Sequence, residues 1–496
     1  MLIQSALVAL AATVVTAVKP IEIKGNEFYV ADTGDRFQMV GVGYQPGGSA
    51  GYKPQEREDP LTDADACLRD AALMQVLGIN TIRVYNLNPD LDHDKCASIF
   101  NAAGMYMAID VNAPGPGESI TAFEPWKSYY MEYLNRTFAV VEAFAGYPNT
   151  LLFFSGNEII NDDYTAQFVP PYIRAVTRDL KNYIKNNIKR TIPVGYSAAD
   201  YRDVLYDTWN FCQCVEDGEK DDMSRSDLFG LNSYSWCGDN ATYESSTYEE
   251  LTTNFESSSI PVFFSEYGCN RPVAHERVWD ETQALYGKNM TPVFSGGLVY
   301  EWTEEEGEYG LINVTGDTAH IMGDYVRLKN KFAKLDWESL QSQKAEAKAV
   351  EPPKCDEKLI QTTNFSTKFE LPDVPPGAQD LIDNGIKNKR NGKLVDIDSF
   401  DVKMEVKDTK GNTIKNLKVV KLDDDEFNWL GKNKADIGSE DDEDDSSDKD
   451  DKSDDKSDDS QDKGDGKDKG DEEDAAMLTR PMMWAVALPA VAMFFA

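Results

Sequence analysis

Histidine is scarce in this chain: His93, His275 and His320 are the only three in 496 residues. None stands in an H-E-x-x-H or similar ligand spacing, so no metal site is expected. No serine-nucleophile elbow is read either, and acyl transfer through an activated serine is not expected. Positive charge is also short. Fifty Lys and Arg face 87 Asp and Glu, for a formal net charge of −37, a balance that repels phosphate and excludes nucleic acid as the expected partner. Cysteine is sparse and odd in number, at seven.

Two apolar segments lie at the ends. "MLIQSALVALAATVVTAV" finishes in small residues, with "VTA" before "VKP", which predicts a secretory signal peptide over residues 1–17. "PMMWAVALPAVAMFFA" (481–496) follows small residues and a short polar spacer in "DEEDAAMLTR", the order of a GPI-attachment signal, read over 476–496, whose tail is removed. A C-terminal membrane helix is the alternative, but its sixteen residues are fewer than the roughly 20 that cross a bilayer. Residues 440–474 hold 20 acidic residues against 6 Lys, and such a block self-repels; an extended stalk is expected over 431–475. The cysteines and five N-x-[ST] sequons, at Asn135, Asn240, Asn289, Asn313 and Asn364, agree with an oxidising secretory route.

Between residues 18 and 335, eight strand-like runs alternate with helical stretches: "FQMVGVGY", "NTIRVYNL", "MYMAIDVN", "TLLFFSGNE", "TIPVGYSAAD", "LFGLNSYSW", "PVFFSEYG" and "GGLVYEW". Eight such units predict an α/β fold, a (β/α)8 TIM barrel. The runs end in polar or aromatic residues, which a barrel would gather on one face. Residues 336–430 carry β-prone pieces such as "KLVDIDSFDVKMEV", read as a linker and a small β-rich appendage with Cys355 as its only cysteine.

With histidine scarce, carboxylates are the candidate catalysts. Glu158 in "FFSGNE" and Glu266 in "FFSEYG" end the fourth and seventh runs. Cleaving a glycosidic bond with retention needs one carboxyl group to protonate the leaving oxygen and a second, about 5 Å away, to attack the anomeric carbon. Barrel closure brings together residues this far apart in sequence. Asn157 would then contact a sugar hydroxyl, the 2-OH, while alternation turns Tyr267 to the other face.

At "GINTIRVYNLNP", "HDKC", "GNEIIND", "VGYSAAD", "FGLNSYSWCG", "IPVFFSEYGCN" and "SGGLVYEW" the chain resembles the fungal cell-wall β-1,3-glucanosyltransferases of glycoside hydrolase family 72, the glycolipid-anchored surface protein type. The resemblance implies a cofactor-free retaining enzyme with Glu158 as acid/base and Glu266 as nucleophile. Such an enzyme cuts β-1,3-glucan internally and moves the new reducing end to the non-reducing end of another chain. A retaining hydrolase and an inactive glucan-binding surface protein are the alternatives. Carried over position by position, glucan contacts fall on Gln45, Tyr85, Asp110, Asn157, Asp200, Arg202, Tyr234 and Tyr300. The implied disulfides are Cys67–Cys96, Cys237–Cys269 and Cys214–Cys355, with Cys212 open as the alternative partner of Cys355. The implied location is the outer face of the plasma membrane, through a GPI anchor, or the cell wall. One stretch departs: after the third run the family commonly has Ser-x-Asn-Arg, where this chain reads "ESITAFEPW".

Overall fold

The computed structural model describes residues 18–438 apart from 217, 218, 220, 347–349 and 425. The expected signal peptide, the anchor tail and the stalk beyond residue 438 lie outside the described residues. A hairpin of β1 (Ile21–Lys24) and β2 (Glu27–Val30) precedes eight parallel strands: β3 (Met39–Tyr44), β4 (Thr81–Val84), β5 (Tyr106–Asp110), β6 (Thr150–Asn157), β7 (Val194–Ala199), β8 (Phe229–Ser233), β9 (Val262–Tyr267) and β10 (Phe294–Val299). They close in chain order, with β10 returning to β3. Each coincides with one of the eight apolar runs, so the (β/α)8 barrel is the observed fold.

Alternation sorts the side chains. On β5, Tyr106 and Ala108 join Leu152, Phe154, Phe263 and Leu298 in the lumen, while Met107 and Ile109 face the helical layer. The hairpin contributes Phe28 to the lumen core, its ring edge-on to Phe263 at 6.0 Å between centroids.

Register shifts interrupt this alternation on β6, β9 and β10, and two of them set the site. On β6 the pairing with β7 steps from Phe154↔Gly195 to Gly156↔Tyr196, and on β9 the pairing with β8 steps from Leu231↔Phe264 to Asn232↔Glu266. Each step inserts one residue, Ser155 or Ser265, and resets the phase. Counting by twos from Phe154 and Phe263 would turn Asn157 and Glu266 outward. The bulges bring both to the lumen side.

The expected β-rich appendage is not one. Residues 336–438 hold short helices and a two-residue strand, β13 (Val406–Lys407), which extends the hairpin of β11 (Ile312–Thr315) and β12 (Thr318–Ile321). The rest is a strap laid against the barrel helices. Its β-prone residues Leu417, Val419, Leu422 and Ile437 are buried, and its backbone groups find barrel partners in place of a sheet: Val420 N donates to Gln75 Oε1 at 2.8 Å and Leu422 N to Ala102 O at 2.9 Å. Residues 431–438, expected as the start of the stalk, belong to this strap, since Asn433 Nδ2 donates to Lys418 O and to Gln75 Oε1. Helix ends meet the strap at glycines. A Cβ on Gly78 (φ +81°) would lie 2.4 Å from Leu430 N, and one on Gly146 would lie 1.9 Å from Gly392 O.

Three disulfides are present: Cys67–Cys96, Cys237–Cys269 and Cys214–Cys355, the last joining strap to barrel. Cys212 is a buried free thiol. All five sequon asparagines are exposed.

Candidate active site

Arg83 on β4 organises the C-terminal mouth of the barrel. Fully buried, its guanidinium stands 4.6 Å from the Phe154 ring centroid and 4.5 Å from that of Tyr85. It donates twice to Asp110, through Nε at 2.8 Å and Nη2 at 3.1 Å. Nη2 also reaches Asn157 Oδ1 at 2.8 Å, and Nη1 reaches Glu266 Oε1 at 3.1 Å. Burial works against its charge, but Asp110 and the other anionic partners more than offset this and hold its pKa above the ordinary value.

Glu266 is the better held of the two candidate carboxyl groups. Oε1 accepts from Arg83 and from the Tyr85 hydroxyl at 2.9 Å, and Oε2 accepts from the Tyr234 hydroxyl at 2.7 Å. Burial pushes its pKa up to about 7, with Arg83 pulling down, the Glu158 charge pushing further up, and the two tyrosine hydroxyls pulling down. Burial also raises the pKa of Tyr85 and Tyr234, so both remain donors. Glu158 follows β6 with φ at +50°, in the left-handed region that few non-glycine residues occupy. It is only partly buried, and Oε1 accepts from Asn232 Nδ2 at 2.8 Å. Asn157 Oδ1 accepts from Arg83, from Ser197 Oγ at 2.8 Å and from Asn232 at 3.1 Å, so its oxygen is fully engaged.

Gln45, Tyr85, Asp110, Asn157, Glu158, Glu266 and Tyr300 line one cleft of about 430 Å³, along with Asn86, Asn112 and Ile120. Tyr234 reaches the same site through Glu266. Asp200 and Arg202 do not line it. Arg202 clamps Asp200, which also accepts from Ser233 Oγ at 2.9 Å, and Arg202 opens onto a separate groove of about 640 Å³ between the helices Arg202–Gln213 and Tyr248–Phe255 and the strap. That groove is larger, but it contains neither glutamate of the network. Tyr44 and Tyr267, also at strand ends, are buried away from the cleft; Tyr44 donates to Asp70 at 2.9 Å.

Sequence reasoning passed over Arg83, Asn232 and Tyr309, whose ring lies 5.6 Å from Tyr234 and 5.4 Å from Tyr300. An arginine in the middle of "TIRVY" was the available signal, since a charge inside an apolar strand needs partners. It also passed over residues 47–51, Gly-Gly-Ser-Ala-Gly, a G-x-S-x-G match. Ser49 starts a single 3-10 turn there and accepts from Gln45 Nε2 at 3.3 Å. That is not the strand-to-helix elbow of a serine nucleophile. Among the described residues no group of His, Cys, Asp and Glu is arranged to hold a metal ion.

A glucanosyltransferase family model matches residues 10–336. The chain belongs to the glucanosyltransferase family. It is similar to 1,3-beta-glucanosyltransferase gel2 of Aspergillus fumigatus, with 49% identity covering 86% of this chain and 87% of that protein. It is also similar to 1,3-beta-glucanosyltransferase GAS4 of Saccharomyces cerevisiae, with 39% identity covering 80% and 82%. Among solved structures, a Gas2 mutant of Saccharomyces cerevisiae in complex with laminaritetraose and laminaripentaose superposes with a TM-score of 0.62 at 34% identity, covering 73% of this chain and 76% of that one. As a member of the glucanosyltransferase family, this chain places its paired glutamates at the mouth of the matched barrel.

Proposed function

We propose that the cleft performs a retaining transfer on β-1,3-glucan, with Glu266 as nucleophile and Glu158 as acid and then base. The protein is a 1,3-β-glucanosyltransferase. The observation that carries the role assignment is the unequal treatment of the two carboxyl groups. Glu266 receives three donors on its two oxygens, which fixes it in place and favours its anionic form. Glu158, partly buried at the cleft, receives Asn232 on Oε1, leaving it free to pass a proton.

In the first step Glu266 bonds to the anomeric carbon as the glycosidic C–O bond breaks, and Glu158 delivers its proton to the departing oxygen. In the second, Glu158 takes the proton from the acceptor hydroxyl, whose oxygen displaces Glu266. No redox or metal step enters this balance. Because the Asn157 oxygen is engaged, its amide N–H is the group left for the sugar 2-OH, where a contact strengthens in the transition state. Asp110 spends both oxygens on Arg83 and acts through it. Gln45, Tyr85 and Tyr300 are the proposed glucan contacts in the cleft, Tyr234 supports Glu266, and Asp200 and Arg202 shape the neighbouring rim.

Incubating the protein with reduced laminari-oligosaccharides tests this reading. Products longer than the starting chain are expected, and exclusively shorter ones would make it a hydrolase. Glu266→Gln and Glu158→Gln should each lower turnover by about a thousandfold or more, on the scale of losing an essential nucleophile or proton donor. The signal peptide, acidic stalk and GPI anchor, with attachment within residues 470–475, complete the proposal. Release of the protein from membranes by a phosphatidylinositol-specific phospholipase is its test.

A further inference from the structure

Four of the five exposed large apolar side chains among the described residues stand together: Phe123, Trp126, Tyr164 and Phe168. Phe123 lies 5.6 Å from Tyr164, Tyr164 lies 5.2 Å from Phe168, and Trp126 lies 6.0 Å from Phe168, centroid to centroid. Phe123 is 68% exposed and Trp126 46%. Such a patch on a folded surface marks a place where something binds.

The patch follows the cleft along the chain. Phe123 and the short helix Pro125–Ser128, which carries Trp126, lie in the connection after β5 whose Ile120 lines the cleft, and Tyr164 and Phe168 belong to the helix Asp163–Phe168, soon after Glu158 and Ile159. This is the loop where "ESITAFEPW" departs from the family pattern. The platform is also built in advance. Ser128 Oγ accepts from Thr121 N at 2.9 Å and donates to Pro125 O at 3.0 Å, and Asp162 and Thr165 form a reciprocal cap at the helix start.

We infer that these four rings form a stacking platform for the acceptor glucan, an outer subsite beyond the catalytic cleft. The inference rests on the transferase reading above. Aromatic faces offer flat apolar surface to the C–H faces of pyranose rings, and a ring with a polar edge suits a ligand that is apolar above and hydroxylated around its rim. The acceptor side is assigned because Glu158 serves first the leaving oxygen and then the acceptor hydroxyl, so the departing chain and the incoming acceptor both lie on its side of the bond that breaks. A chain entering on its side passes over the segment that runs from Glu158 to Phe168.

The test uses full-length protein from a secretory host, assayed with a fixed donor and a range of reduced laminari-oligosaccharide acceptors. Trp126→Ala and Phe123→Ala should each raise the acceptor concentration for half-maximal transfer about three- to tenfold, the worth of one aromatic contact. Hydrolysis should take a larger share of the donor cleaved. Trp126→Phe should restore most of the loss, and Val273→Ala, an exposed apolar residue off the platform, should change nothing. Unaltered acceptor dependence overturns the inference, as does an effect confined to donor cleavage, to self-association in sedimentation or to binding of phosphatidylcholine vesicles. Absence of both transfer and hydrolysis in the unsubstituted protein would instead overturn the transferase reading.

Discussion

Glu266 carries two opposing demands: a buried site disfavours its charge, while Arg83, Tyr85 and Tyr234 require it. With its pKa raised from the ordinary 4.5 to about 7, the attacking anion is depleted as the pH falls, so kcat/KM should decline below about pH 7, approaching tenfold per pH unit. Arg83→Lys keeps a charge but loses the planar fork that serves Asp110, Asn157 and Glu266 together. The acidic limb of the pH–rate profile should move to higher pH in that variant, and an unmoved limb would mean that Arg83 does not tune Glu266. Stability follows with the opposite sense from an ordinary buried ion pair. The folded state holds this proton more tightly than the unfolded one, so the contribution is present below about pH 4.5 and is lost as pH rises through about 7. In Glu266→Gln that part of the slope disappears, and above pH 7 the variant should be more stable, by up to on the order of 3 kcal/mol. Chemical denaturation at pH 4 and pH 8 measures it.

At the scale of elements, the eight strands were legible because each is a short apolar run ending in a polar or aromatic residue, and eight in succession admit few architectures. The bulges were not legible. "FFSGNE" and "FFSEYG" look like continuous alternation, and only the register against β7 and β8 shows that Ser155 and Ser265 are inserted residues that turn Asn157 and Glu266 inward. Arg83 escaped notice for a related reason: its partners arrive from β5, β6 and β9 and meet only after closure. Tyr85, Tyr234 and Tyr300 are legible as aromatic ends of strand runs, with the resemblance adding their role as glucan contacts, whereas Trp126 and Phe168 belong to short helices outside any shared motif. The helix corners carry the next prediction. Gly146→Ala would push a Cβ into the Gly392 carbonyl, and because backbone, not a flexible side chain, must yield, a loss of about 1–3 kcal/mol is expected. A thermal melt reports it, with glucan transfer at low temperature preserved.

The whole molecule does not end where the family match does. The match stops at residue 336, but one compact unit runs on through the strap to residue 438, and the outer layer of the barrel is incomplete without it. Asn428 Nδ2 donates to Ile79 O at 2.8 Å and Gln75 Nε2 donates to Val420 O at 2.7 Å, both on buried barrel groups. Cys355 anchors one end covalently to Cys214. A chain cut at residue 335 would leave such polar groups without partners and expose apolar surface that Leu417, Val419, Leu422 and Ile437 now cover. Each of those side chains is worth roughly 1.5–3 kcal/mol when fully buried, and their sum is comparable to the whole stability of an ordinary domain. Residues 18–335 should therefore be recovered as aggregate or melt far below 18–438, while 18–438, without stalk or tail, should retain full transfer activity in solution. Equal melting temperatures for the two fragments would show that the strap is carried by the barrel without supporting it.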